Sequence, residues 1–153
     1  MKFCITIVGI LIISALFSCK SETIKPGVNG GSLSAEVNGN IFEATGVLAS
    51  RTQPTTNTGE GFHLSGNSNF GFPQITLTLY NIFPGKYQLG VSGLGNTKAA
   101  YSLSADNQEV SVSGHITITG ITYSEGGTVK GTFEFETETN SITNGSFEVR
   151  FSN

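Results

Sequence analysis

From residue 33 onward, apolar and polar side chains alternate with a period of two, the spacing of half-buried β-strands. Leu33, Ala35 and Val37 alternate with Ser34 and Glu36, and Asn38-Gly39 then has the chemistry of a type I′ hairpin turn. A two-residue loop there pairs Val37 with Asn40, Ala35 with Phe42 and Leu33 with Ala44. Apolar meets apolar in the last two pairs, so the register is self-consistent. The rhythm recurs where Phe62 and Leu64 flank His63, and where Ile75, Leu77 and Leu79 alternate with Thr76, Thr78 and Tyr80. Tyr87, Leu89 and Val91 follow a Pro84-Gly85 turn, and Ala99, Tyr101 and Leu103 form a strand ended by Asp106-Asn107. Val110, Val112, Ile116 and Ile118 share one parity, which flips after Gly120 to Ile121 and Tyr123 and so predicts a bulge. Val129, Phe133 and Phe135 come next, then Phe147, Val149 and Phe151 behind an Asn144-Gly145 turn.

About nine short strands joined by Gly, Asn and Pro turns, with no helical spacing sustained over three turns, predict an all-β fold. It is antiparallel and mainly a meander, closed as either a two-sheet sandwich or a flattened barrel. No link has room for a crossover helix.

The start of the chain reads differently. Lys2 gives a short positive region, and an apolar run extends from Phe3 to Phe17 before polar Lys20-Ser21-Glu22. That run is shorter than the ~20 residues a spanning helix needs and has the length of a signal-peptide core. Leu16-Phe17-Ser18-Cys19 resembles the bacterial lipobox, with Phe17 looser than the small residue usual at that position. The resemblance implies cleavage before Cys19 and diacylglycerol on its thiol. Two or more acyl chains hold a protein on a membrane where one does not. Cys4 leaves with the leader and Cys19 is consumed by lipid, so the mature domain has no disulfide and no thiolate chemistry. Residues 1–18 are therefore expected as leader, 19–32 as lipidated Cys and flexible tether of roughly 20 Å mean reach, and 33–153 as one all-β domain. The implied location is extracytoplasmic and membrane-anchored, at the outer membrane, with the membrane as partner through Cys19.

The lipobox, the tether, V-N-G-N-I-F-E-A at 37–44, F-P-G-K-Y at 83–87, G-H-I-T-I-T-G-I at 114–121, G-T-F-E-F-E-T at 131–137 and I-T-N-G-S-F-E-V-R-F at 142–151 occur in this order. Together they resemble small Bacteroidota lipoproteins that carry a β-rich domain of unknown function. The resemblance spans residues 33 to 151 and implies architecture and location. It transfers no catalytic residue.

Charge and titratable groups narrow the rest. A net charge of −3 gives no broad attraction to nucleic acid. Beyond the leader there are two histidines and one aspartate, Asp106, which sits in a turn where Asp commonly bonds its own backbone. A Ser-His-Asp arrangement from Asp106 with His63 or His115 is therefore disfavoured, as is a paired-histidine metal site, which would need adjacent strands and a third ligand. Glu134, Glu136 and Glu138 line one strand face and read as its solvated side rather than as a Ca²⁺ site or a glycosidase pair. No cofactor and no metal site is expected. The candidate ligand contacts are Phe70 and Phe72, in the polar, Gly-rich segment 66–73, with Tyr80 and Tyr123 outward by parity; these aromatics either stack on a glycan or a peptide or, as the preferred reading has it, Phe70 and Phe72 fold back to plug one end of the core. The outward threonines Thr76, Thr78, Thr117 and Thr119 read as ordinary half-exposed sheet residues. The expected function is a non-catalytic, lipid-anchored binding or structural module. A lipocalin-like carrier of a small apolar ligand and a carboxylate-based glycan hydrolase stand as alternatives.

Overall fold

The computed structural model describes residues 30–52, 61–69, 71–90, 97–122 and 126–150. Among them, one sheet contains β1 (Gly31–Val37), β2 (Asn40–Glu43), β6 (Gly85–Gln88), β9 (Ser113–Ile121), β10 (Thr128–Glu136) and β11 (Ser141–Arg150). Its order is β2-β1-β11-β10-β9-β6. The second sheet contains β3 (Gly46–Thr52), β4 (Gly61–Asn67), β5 (Gln74–Tyr80), β7 (Lys98–Ser104) and β8 (Asn107–Val110), in the order β3-β4-β5-β7-β8. All pairings are antiparallel, and β3-β4-β5 and β9-β10-β11 are meanders. Neither sheet closes on itself, so the fold is a sandwich and not the flattened barrel.

The expected β1–β2 register is realised. Val37 faces Asn40, Ala35 faces Phe42, and the Ala44 amide donates to the Leu33 carbonyl at 2.9 Å. Asn38 and Gly39 both have positive φ, 51° and 78°, as a type I′ turn requires. The bulge expected near Gly120 is also present: Lys130 faces Gly120 while Gly131 faces Ile118, which leaves Thr119 as the extra residue.

Three readings are corrected. Asn144-Gly145 is not a hairpin turn; it lies inside β11, where the register slips by one against both β1 and β10. Asn144, at φ 52°, is the left-handed residue of that bulge, and the β10–β11 turn is at Thr137–Asn140 instead. Leu103 does not continue the inward face of β7, because the ladder to β8 slips between Ser102 and Ser104 and turns Leu103 out to 51% exposure. Val110 and Val112 are exposed too, since the chain changes sheets at this point: the Ser111 amide bonds Ala99 in one sheet and the Val112 amide bonds Glu136 in the other. This split, with the additional strand β3, makes eleven strands of the expected nine or so.

The same device serves at β2–β3, where the Ala44 amide bonds Leu33 and the Thr45 amide bonds Asn67 across the gap. At the β5–β6 crossing the Tyr87 hydroxyl accepts from the Phe83 amide at 2.6 Å and donates to the carbonyl of Phe83 or Asn81, in the manner of a tyrosine corner.

Between the sheets, Phe62 of β4 stacks on Phe147 of β11 at 5.9 Å, and Phe133 lies 6.3 Å from Phe147 and 6.2 Å from Phe135. These rings and the buried aliphatics of β1, β5 and β9 form one core. The phenyls are accommodated by glycine on the partner strand: Gly131 faces Phe147, and Gly145 faces Phe133.

Two glycines separate two kinds of cost. A Cβ at Gly39 would meet nothing within 4 Å, so Gly39→Val should destabilise through backbone strain alone, by on the order of 1–3 kcal/mol. A Cβ at Gly145 would stand 2.5 Å from the ring and the carbonyl oxygen of Phe133, so Gly145→Ala should cost about 1–3 kcal/mol through overpacking. Chemical denaturation measures both, and an unshifted midpoint for either variant removes the corresponding argument.

Candidate functional site

One end of the sandwich carries a polar network that joins the two sheets. Glu109, on β8, faces Tyr101 across the ladder and reaches the β10–β11 turn of the other sheet. Its carboxylate accepts from the Thr137 hydroxyl at 2.5 Å, the Thr139 hydroxyl at 2.7 Å and the Asn140 amide at 3.0 Å. Thr137 is buried, and its oxygen accepts in turn from the Asn140 backbone N–H at 2.9 Å. The Asn140 side-chain oxygen accepts from the Asn38 amide at 2.8 Å, and the Asn38 side-chain oxygen accepts from the Ser141 backbone N–H at 2.9 Å. The network therefore ties β8, the β10–β11 turn and the β1–β2 turn together. Hydrogen bonds from Thr137, Thr139 and Asn140 favour the charged carboxylate and bring the Glu109 pKa down to about 2. Burial, and then the Glu109 charge, push the Tyr101 phenol above its ordinary range.

Beside this network lies a groove of about 580 Å³, within the range of small-molecule sites. It is lined by the β1–β2 hairpin and Asn140 from the first sheet, and by Ser68, Asn69 and Pro73 of the β4–β5 loop with Leu103 from the second. Phe42 and Tyr101 also line it, both buried. Ile41 and Leu103 are 80% and 51% exposed. Four of the lining side chains are asparagines, and the one charged lining residue is Glu43.

The predicted contacts fall unevenly around this geometry. Phe72 is 36% exposed and sits in the loop between the lining residues Asn69 and Pro73, without lining the groove itself. Tyr80 stands at the far end of β5, eight residues of mostly extended chain or roughly 25 Å away. The structure does not bring these two together. Phe70, Tyr123 and Cys19 lie outside the described residues.

The titratable groups are dispersed. His63, in the second sheet, bonds the Thr78 hydroxyl at 3.0 Å; His115, in the first, pairs with Glu134 at 3.2 Å. Glu134 is exposed, Glu136 accepts from the Ser141 hydroxyl at 2.7 Å, and Asp106 lies in the exposed β7–β8 turn. Thr76 and Thr78 lie on one sheet and Thr117 and Thr119 on the other, so they form no common ladder. Sequence reasoning reached the β4–β5 loop through its Gly and Asn content but missed Tyr101 and Glu109 as site residues.

The Glu109 network predicts a defined acid response. A carboxylate whose folded pKa is about 2, against 4.5 ordinarily, contributes stability that is complete above 4.5 and is lost as pH falls toward 2. Glu109→Gln should lower the melting temperature at neutral pH and flatten its decline between pH 4.5 and 2. A variant with the parent's slope in that window would show that Glu109 is not the clamp.

No curated protein and no solved structure matches the chain. Residues 29–152 match the family described as Domain of unknown function (DUF6252), a span that covers both sheets, the inter-sheet network and the groove. The chain belongs to that family.

Proposed function

We propose that this chain is a lipid-anchored lipoprotein of the cell envelope, held at the outer membrane through Cys19, and that its sandwich is a non-catalytic binding module. The groove between the β1–β2 hairpin and the β4–β5 loop is its ligand site. The observation that carries the reading is that this groove, about 580 Å³, is walled by segments from both sheets and backed by the Glu109 network. A site fixed in this way binds without first ordering its own walls, a cost that otherwise weakens association. The dispersal of His63, His115 and Asp106 supports binding over acid–base catalysis, which needs its groups within hydrogen-bond reach of one reacting atom. The stacked phenyls between two open sheets speak against a lipocalin-like lumen.

Two measurements test the two halves. In the native host, Cys19→Ala should lose fatty-acid labelling and move to the soluble fraction; equal membrane retention would refute the anchor. For the groove, the full chain in a detergent without a sugar head group is screened by ligand-observed NMR against neutral oligosaccharides, anionic oligosaccharides and short peptides. One class should bind saturably and lose that binding in Ile41→Arg, a change the fold should tolerate because Ile41 is 80% exposed. Absence of binding in all three classes would overturn the module reading.

A further inference from the structure

We infer that the groove takes an uncharged saccharide, and that the Tyr101 hydroxyl is the hydrogen-bonding group at its base. This rests on the reading of the groove as a ligand site and names the ligand class for it.

Tyr101 is the first observation. It is only 6% exposed, it lines the groove, and among the described residues its hydroxyl has no hydrogen-bond partner. A tyrosine hydroxyl at the wall of a groove bonds whatever occupies the space it faces. Glu109, the nearest candidate across the ladder, has its oxygens engaged by Thr137, Thr139 and Asn140, and acts on Tyr101 through charge. A ligand hydroxyl in the groove can bond this phenol in either direction, since phenol and sugar hydroxyl alike donate or accept.

The lining supplies the second. A primary amide offers two donors and an acceptor in one plane, which suits neighbouring hydroxyls on a sugar ring. Asn38 and Asn140 are fixed by their bond to one another, yet each keeps capacity: a second N–H on Asn38 and a second lone pair on the Asn140 oxygen. The Asn40 amide makes only a long contact of 3.5 Å to the Asn38 carbonyl, and that of Asn69 makes no hydrogen bond among the described residues. Ile41, Leu103 and Pro73 offer apolar surface to the C–H face of a ring. No lining residue is cationic, so an anionic ligand would find no counter-charge among them. Neutral polarity set beside apolar walls is the chemistry of an uncharged sugar.

The test uses the same full chain, detergent and three ligand classes, with Tyr101→Phe as the deciding variant because it removes only the oxygen. Neutral oligosaccharides should bind, and Tyr101→Phe should weaken them about tenfold or more, the loss expected when one hydrogen bond to a ligand is removed. Without ligand, Tyr101→Phe should melt no lower than the parent, since no protein partner is orphaned. Asn40→Ala, at an exposed position whose amide makes only the long contact to Asn38, should weaken the same sugars with little change in stability. Anionic oligosaccharides or peptides binding in place of neutral sugars, with sensitivity to Ile41→Arg, would overturn this inference and leave the module reading standing. Neutral sugars binding with affinity unchanged in Tyr101→Phe would overturn the role of the phenol. No binding from any class would bring down both.

Discussion

The fold depends on a spatial constraint between β10 and β11. Two β-sheets packed face to face leave about 10 Å between them, and two phenyl rings directly opposed on neighbouring strands would overfill that layer. Gly131 opposite Phe147 and Gly145 opposite Phe133 resolve this by giving each ring the space above a backbone without a side chain. The rings then lie flat enough for Phe62 of the other sheet to stack on Phe147. The buried side chains of both sheets join these rings in one core, and a Cβ at Gly131 would meet both the Phe147 ring and the Thr117 carbonyl of β9. The bulge at Asn144 belongs to the same arrangement, since the extra residue sits immediately before Gly145 and shifts both neighbouring ladders at that point.

Much of the architecture is legible in the alternation of residue types, because each half-buried strand obeys a local rule. Asn38-Gly39 sets its hairpin without help from distant residues, and the parity flip at Gly120 marks the extra residue at Thr119. The errors occur where a local rule meets a distant demand. Asn144-Gly145 has the same dipeptide as the true turn, but the chain continues through it because β1 and β10 already flank β11 on both sides. The run from Val110 to Ile118 keeps one parity in sequence, yet it passes from one sheet to the other at Ser111 and Val112. Alternation records which side chains share a face of a strand and carries no label for the sheet to which that strand belongs.

The candidate site was the less legible part, and one bulge explains why. Without it, the β7–β8 turn would place Val110 opposite Tyr101, an unremarkable apolar pair. The extra residue at Leu103 moves Glu109 into that position and turns both Leu103 and Val110 outward. A carboxylate then enters the end of the inter-sheet space, where the hydroxyls and amide of the β10–β11 turn satisfy it. Leu103 meanwhile becomes a wall of the groove. Neither consequence is visible from residue types alone, because both depend on pairing across the ladder. The Gly- and Asn-rich loop before β5 was visible, since its composition is foreign to a strand; its contribution is Ser68, Asn69 and Pro73 rather than an aromatic platform with Tyr80.

The same arrangement sets the character of this end of the sandwich. The core is filled by phenyl rings and aliphatic side chains, whereas here turns from different sheets converge and side chains can vary with little consequence for the ladders. At such an end flexibility is the usual obstacle, because turns frayed into solvent would have to be ordered by the ligand. Glu109 removes the obstacle by bonding one sheet's strand to the other sheet's turn, and Asn140 and Asn38 extend that restraint to the hairpin that forms the groove wall. The residue that bonds the two sheets at this end is thus also the one that holds the groove wall in place, with Tyr101 facing it across the ladder.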